Sequence, residues 1–201
     1  NIIDAGEGAN FVNLTSGDNT VTAADGSNTI DITGGTNSVT SGTGADSITA
    51  LGGDNIIDAG EGDNLVNLTT GNNTVTAADG DNTIEITGGT NSVTSGTGAD
   101  SITAVGGENI INAGEGANDV SLTTGDNTVS AADGDNTIEI TGGNNSITSG
   151  TGADSITALG GVNIIDVGEG ANDINLTSGD NTVAAANGSN TIDIIGGSNS
   201  I

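Results

Sequence analysis

The sequence predicts an all-β protein: a parallel β-solenoid, or β-roll, with two nonapeptides (18 residues) per turn and about 11 rungs. Three observations predict it. A nine-residue period runs through the 201 residues without insertion or deletion. Each period has Gly at one fixed place and Ile or Val at another. Around that aliphatic residue, apolar and polar side chains alternate, which is a strand signal.

Read from Ala5, the units are AGEGANFVN, LTSGDNTVT, AADGSNTID, ITGGTNSVT, SGTGADSIT and ALGGDNIID, and AGEGDNLVN begins again at Ala59. Position four is Gly from Gly8 to Gly197, and position eight is Ile or Val from Val12 to Ile192. Position six is Asn except at Asp46, Asp100 and Asp154. Six units make a 54-residue super-repeat, whose fourth copy opens VGEG at Val167. Nine residues are too few for a helical hairpin and suit one short strand plus one tight turn. Positions six, eight and the next position one differ by two, so they share a strand face. That face reads Asn19, Val21, Ala23; the opposite face reads Thr20, Thr22. The glycine falls in the turn, where positive φ is needed. No composition shift marks a linker, so residues 1–201 read as one uninterrupted array.

Both 18 and 27 divide 54, so a three-sided, 27-residue coil is the alternative. Side-chain size favours 18. One sheet then presents Ala5, Ala23 and Ser41 at position one, and the facing sheet Leu14, Ile32 and Ala50. Small against large is what a thin core wants. Position three agrees: Glu7, Asp25, Glu61, Asp79, Glu115 and Asp133 fall on one edge, and Ser16, Gly34 and Gly52 on the other. Stacked Asn columns would bond rung to rung.

Composition excludes much. The chain has 27 acids, no Lys, Arg, His, Cys, Met, Trp, Tyr or Pro, one Phe (Phe11) and a formal net charge of -27. There is no disulfide, no thiolate, and none of the usual bases. Nothing cationic grips nucleic acid, and an anionic membrane would repel the chain. Paired carboxylates could serve glycoside chemistry only at a unique site, and the candidate acids here recur 54 residues later. The expectation is no enzyme.

The segment Gly42-Thr43-Gly44-Ala45-Asp46-Ser47-Ile48, repeated at Gly96–Ile102 and Gly150–Ile156, matches G-x-G-x-D-x-(aliphatic). It resembles the RTX nonapeptide, G-G-x-G-x-D-x-U-x, of secreted bacterial proteins. Period, Gly and aliphatic residue match along the whole chain; the Asp matches in three units, and Asn replaces it elsewhere. The resemblance implies a right-handed β-roll with two nonapeptides per turn, secretion, and calcium in the turns. An amide is a poorer ligand than a carboxylate for a hard dication, which makes Asp46, Asp100 and Asp154 the first metal candidates. The edge pairs Glu7 and Asp25, Glu61 and Asp79, and Glu115 and Asp133 come next. The competing reading of the edge is a solvated acidic face that keeps the chain dispersed.

Outward pairs such as Thr20 and Thr22 also suggest an ice-binding face, but Ile56, Asp58, Ile164 and Asp166 interrupt the column. Asn13, Asn67, Asn72, Asn144 and Asn175 fit the N-glycosylation pattern. The chain reads as an extracellular or cell-surface bacterial structural protein forming a fibre, sheath or surface layer. The alternative is a calcium-binding spacer of a secreted adhesin or toxin. The array begins and ends mid-unit, so either more chain flanks it or copies stack end to end; lateral self-association and divalent cations are the other expected partnerships.

Overall fold

A computed structural model describes residues 1–201. It contains 22 strands and no helix, in two 11-stranded sheets. The first sheet takes the odd-numbered strands, from β1 (Ile2–Gly6) through β3 (Asn19–Ala23) and β5 (Asn37–Thr40) to β21 (Thr182–Ala185). The second takes the even-numbered ones, from β2 (Phe11–Leu14) through β4 (Thr29–Thr33) and β6 (Ser47–Leu51) to β22 (Thr191–Ile194). Every pairing is parallel, and partners stand 18 residues apart, as Asn19 with Asn37, Val21 with Val39 and Ile30 with Ile48, except where the register shifts to pair Gly6 with Ala23 and Gly114 with Ala131. Two nonapeptides therefore complete a turn, and 11 rungs at about 4.8 Å give a rod about 53 Å long.

The alternation holds throughout. In β3 Asn19, Val21 and Ala23 are buried while Thr20 and Thr22 are exposed. The inward residues join one cluster of 35 buried apolar side chains running along the rod. Ile201 is the exception at position eight; it is 78 % exposed.

The expected size segregation is present, with Ala23 and Ser41 on the first sheet and Ile32 and Ala50 on the second. The geometry behind it differs from a face-on pairing of position one with position one. The chain reverses at each corner, so position one meets position six of the next strand across the turn. The hydrogen bond from Ser41 Oγ to Asp46 Oδ2 spans such a corner.

Position-four glycines meet two demands at once. Gly44 has φ +133°, and a Cβ there would lie 2.7 Å from the Gly26 carbonyl oxygen one rung below. A side chain would thus be strained and would also wedge the rungs apart.

Candidate metal centre and the amide ladders

Position six lines the inside of both edges. On the edge entering the first sheet the column is Asn from end to end. Asn19 Nδ2 donates to Asn37 Oδ1 at 2.8 Å, Asn37 to Asn55 at 2.8 Å, Asn55 to Asn73 at 2.9 Å, and the chain of bonds continues to Asn199. The same amide also donates into its own turn, as Asn37 does to the Gly35 carbonyl at 3.0 Å. These side chains are buried, so each unmade bond would carry the full desolvation cost.

The opposite edge carries the three carboxylates. Asp46, Asp100 and Asp154 are only 2 %, 1 % and 1 % exposed. Their Oδ1 atoms continue the column as acceptors: Asn28 donates to Asp46 from its backbone N at 2.6 Å and from Nδ2 at 3.0 Å. Asn82 does the same to Asp100, and Asn136 to Asp154. The ladder stops there, because a carboxylate has no proton for the next rung. Asn64 Oδ1 receives only the Asp46 backbone N–H, at 3.0 Å.

Oδ2 takes the place of the amide nitrogen. In a neighbouring rung Asn136 Nδ2 donates to the carbonyls of Ala132 at 3.1 Å and Gly134 at 2.9 Å. At Asp154 the corresponding atom brings no proton to the carbonyls of Gly150 and Gly152. A serine accompanies each of these acids at position one. Ser41 Oγ donates to Asp46 Oδ2, and Ser95 Oγ to Asp100 Oδ2 at 2.8 Å. In the third copy both Ser149 Oγ and Asp154 Oδ2 are buried with no partner. A cation accepting oxygen donors fits this set of carboxylate, hydroxyl and carbonyl oxygens.

The other candidates lie outside. Glu7, Asp25, Glu61, Asp79, Glu115 and Asp133 are all exposed on one edge, and nowhere in the chain do three acids converge as a metal cluster. Asp25, Asp79 and Asp133 already have a partner: their Oδ1 atoms accept the backbone N–H of Thr43, Thr97 and Thr151 one rung on, at 3.2, 3.1 and 2.9 Å. Position five does likewise. Asp18 accepts from Thr36 N at 2.8 Å, Asp54 from Asn72 N at 2.7 Å and Asp126 from Asn144 N at 2.7 Å. Sequence reasoning missed these staples, because position five varies among Ala, Asp, Asn, Ser, Thr, Glu and Val. They also place acids on the edge where position three has none, so acidity is heavier on one edge rather than confined to it.

The model of the RTX calcium-binding nonapeptide repeat, four copies long, matches residues 1–30, 31–66, 60–85, 86–120, 121–139 and 140–174. No curated protein and no solved structure matches the chain. Repeats of this type bind calcium, occur in secreted bacterial proteins and are not themselves catalytic. With the matches spanning residues 1–174, and with two parallel sheets coiled at 18 residues per turn, the chain belongs to the RTX nonapeptide-repeat family.

Proposed function

We propose that the chain is an extracellular structural rod, a segment of a bacterial fibre, sheath or surface layer whose copies associate with one another. The observation that carries this reading is the unbroken Asn column from Asn19 to Asn199. Each amide bridges two rungs and closes its own turn. Those are tasks that a bound cation performs where acids face each other, so the rod has a metal-free means of holding its rungs. The absence of Lys and Arg fits an exposed life, since it leaves trypsin-like proteases no cleavage site.

The orphaned Ser149 Oγ and Asp154 Oδ2 favour a second, compatible reading. Asp46, Asp100 and Asp154, with Ser41, Ser95 and Ser149, would hold calcium at every third rung of one edge. The ion would supply the positive charge that the missing amide protons provide elsewhere. The exposed pairs such as Glu7 and Asp25 fit less well, because Asp25 already serves the backbone.

Thermal melting followed by circular dichroism tests both readings. The rod is expected to stay folded in EDTA and to gain a few degrees when calcium is added at matched ionic strength. A chain that unfolds in EDTA at room temperature would overturn the metal-free rod. A melting curve indifferent to calcium would overturn the ion sites.

A further inference from the structure

The outward face of the first sheet is unlike the rest of the surface. Its position-seven column runs Ile2, Thr20, Ser38, Ile56, Thr74, Ser92, Ile110, Thr128, Ser146, Ile164 and Thr182. Ile56, Ile110 and Ile164 are 60 %, 59 % and 58 % exposed. They stand three rungs apart, so the ridges recur every 14 Å or so (about three strand spacings). Between the ridges lie two-rung valleys of Thr and Ser. Concavities are present between Ile2 and Ile56, over Thr20 and Ser38, and against Ile164, over Thr128 and Ser146.

Charge is scarce on this face. Of the 27 acids in the chain, only Asp4, Asp58 and Asp166 stand on its strands, with Asn112 in the equivalent place at the end of the second copy, and Asp18 and Asp126 border the two concavities from the edge. The other sheet's outer face carries Asp31, Glu85, Asp119, Glu139, Asp173 and Asp193, and most of the remaining acids lie on the edges. The face with the most regular exposed Ile is therefore the least charged one.

We infer that this face pairs with the same face of a second copy of the chain, in an antiparallel, two-fold arrangement. The pairing deepens the reading of the chain as a self-associating rod and rests on it. A matching partner needs ridges at the same spacing, which a second copy supplies. With the two-fold axis along the strands, the Ile column of one copy lies on the Ile column of the other. A stagger of half the ridge spacing, about 7 Å, then seats each Ile between a Thr and a Ser. The Asp columns also face each other; the same stagger offsets the carboxylates of the two copies by about 7 Å along the rod, and the repulsion that remains is one that added salt weakens. A parallel pair would instead set Ile against the Asp column. The available area is adequate: staggered faces that overlap over about 46 by 16 Å bury about 740 Å² per copy, within the range of a stable protein interface. Such a contact is isologous and closes on itself.

Sedimentation equilibrium tests this. The wild-type chain is expected to run as a dimer, with association strengthening as salt screens the net charge. The triple variant Ile56→Ser, Ile110→Ser and Ile164→Ser is expected to be monomeric with an unchanged circular dichroism spectrum. Leu65→Ser, on the outer face of the other sheet, is expected to remain a dimer. A monomeric wild type at every salt concentration, or a triple variant that still pairs, would overturn the proposal, and an intact spectrum would leave the rod itself standing. A nitroxide at Ser16→Cys, on an edge of a chain without cysteine, reports the orientation. The expected inter-label distance is about 40 Å for the antiparallel pair, and about 25 Å would show a parallel pair and overturn the geometry.

Discussion

At the scale of the residue, glycine does two separable things in this chain. Gly34 has φ +74°, and a Cβ there would meet nothing within 4 Å. Gly44 has φ +133° and, measured from the same hypothetical atom, sits 2.7 Å from a carbonyl oxygen of the rung below. Gly34→Ala therefore incurs only the left-handed backbone penalty, about 1–2 kcal/mol. Gly44→Ala adds a steric overlap with backbone that cannot rotate away, and the expected loss is about 3 kcal/mol or more. Urea unfolding of the two variants checks the ranking. Equal midpoints would mean that rung stacking does not restrict position four.

At the scale of the strand and its turn, much was legible in the sequence. The alternation around Val21 and Ile30 placed the strands, and the fixed glycine placed the corners. What could not be read was the meeting of different positions across a corner. Ser41 is near Asp46 only because consecutive strands run in opposite senses, which no column of the repeat displays. The staples from Asp18 and Asp54 were hidden for another reason: any residue offers the backbone N–H that they need, so their partners leave no sequence pattern. The first metal candidates come from the one break in the Asn pattern, at Asp46, Asp100 and Asp154. That break yields a prediction. Asp154→Asn returns an amide donor to Asn172 Oδ1 and to the carbonyls of Gly150 and Gly152, in a corner where two buried polar atoms have no partner. In EDTA the variant is expected to be more stable than the wild type, by about 1–3 kcal/mol. In calcium the advantage should shrink or reverse. Melting both proteins under both conditions checks it, and a variant less stable in EDTA would mean that the carboxylate is satisfied in a way that the hydrogen bonds do not reveal.

At the scale of the molecule, the rod is a one-dimensional object in which each rung contacts only its neighbours. Removing residues 59–112 joins Asp58 to Ala113, and the sequence continues as AGEG in the correct sheet, on the correct edge and in step with the three-rung pattern. The shortened chain is expected to keep the same ellipticity per residue, as circular dichroism would show. Loss of structure would mean that the array does not propagate rung by rung. Working against every rung is the net charge of -27, with no side-chain cation to offset it. Neighbouring edge acids such as Glu7 and Asp25 lie one rung apart, and each such repulsion amounts to about 1 kcal/mol in water at short range. Screening several of them by raising sodium chloride from about 10 mM, where the Debye length is about 30 Å, to about 1 M, where it is about 3 Å, should raise the melting temperature by roughly 5–10 °C. Calcium at the same ionic strength provides that screening as well as any binding at the Asp corners. The excess of calcium over sodium therefore isolates the sites, and it should vanish when Asp46, Asp100 and Asp154 are all replaced by Asn. If the excess survives the triple replacement, the ions are held on the exposed edge by Glu7, Asp25 and their repeats, and the buried corners are not the binding sites.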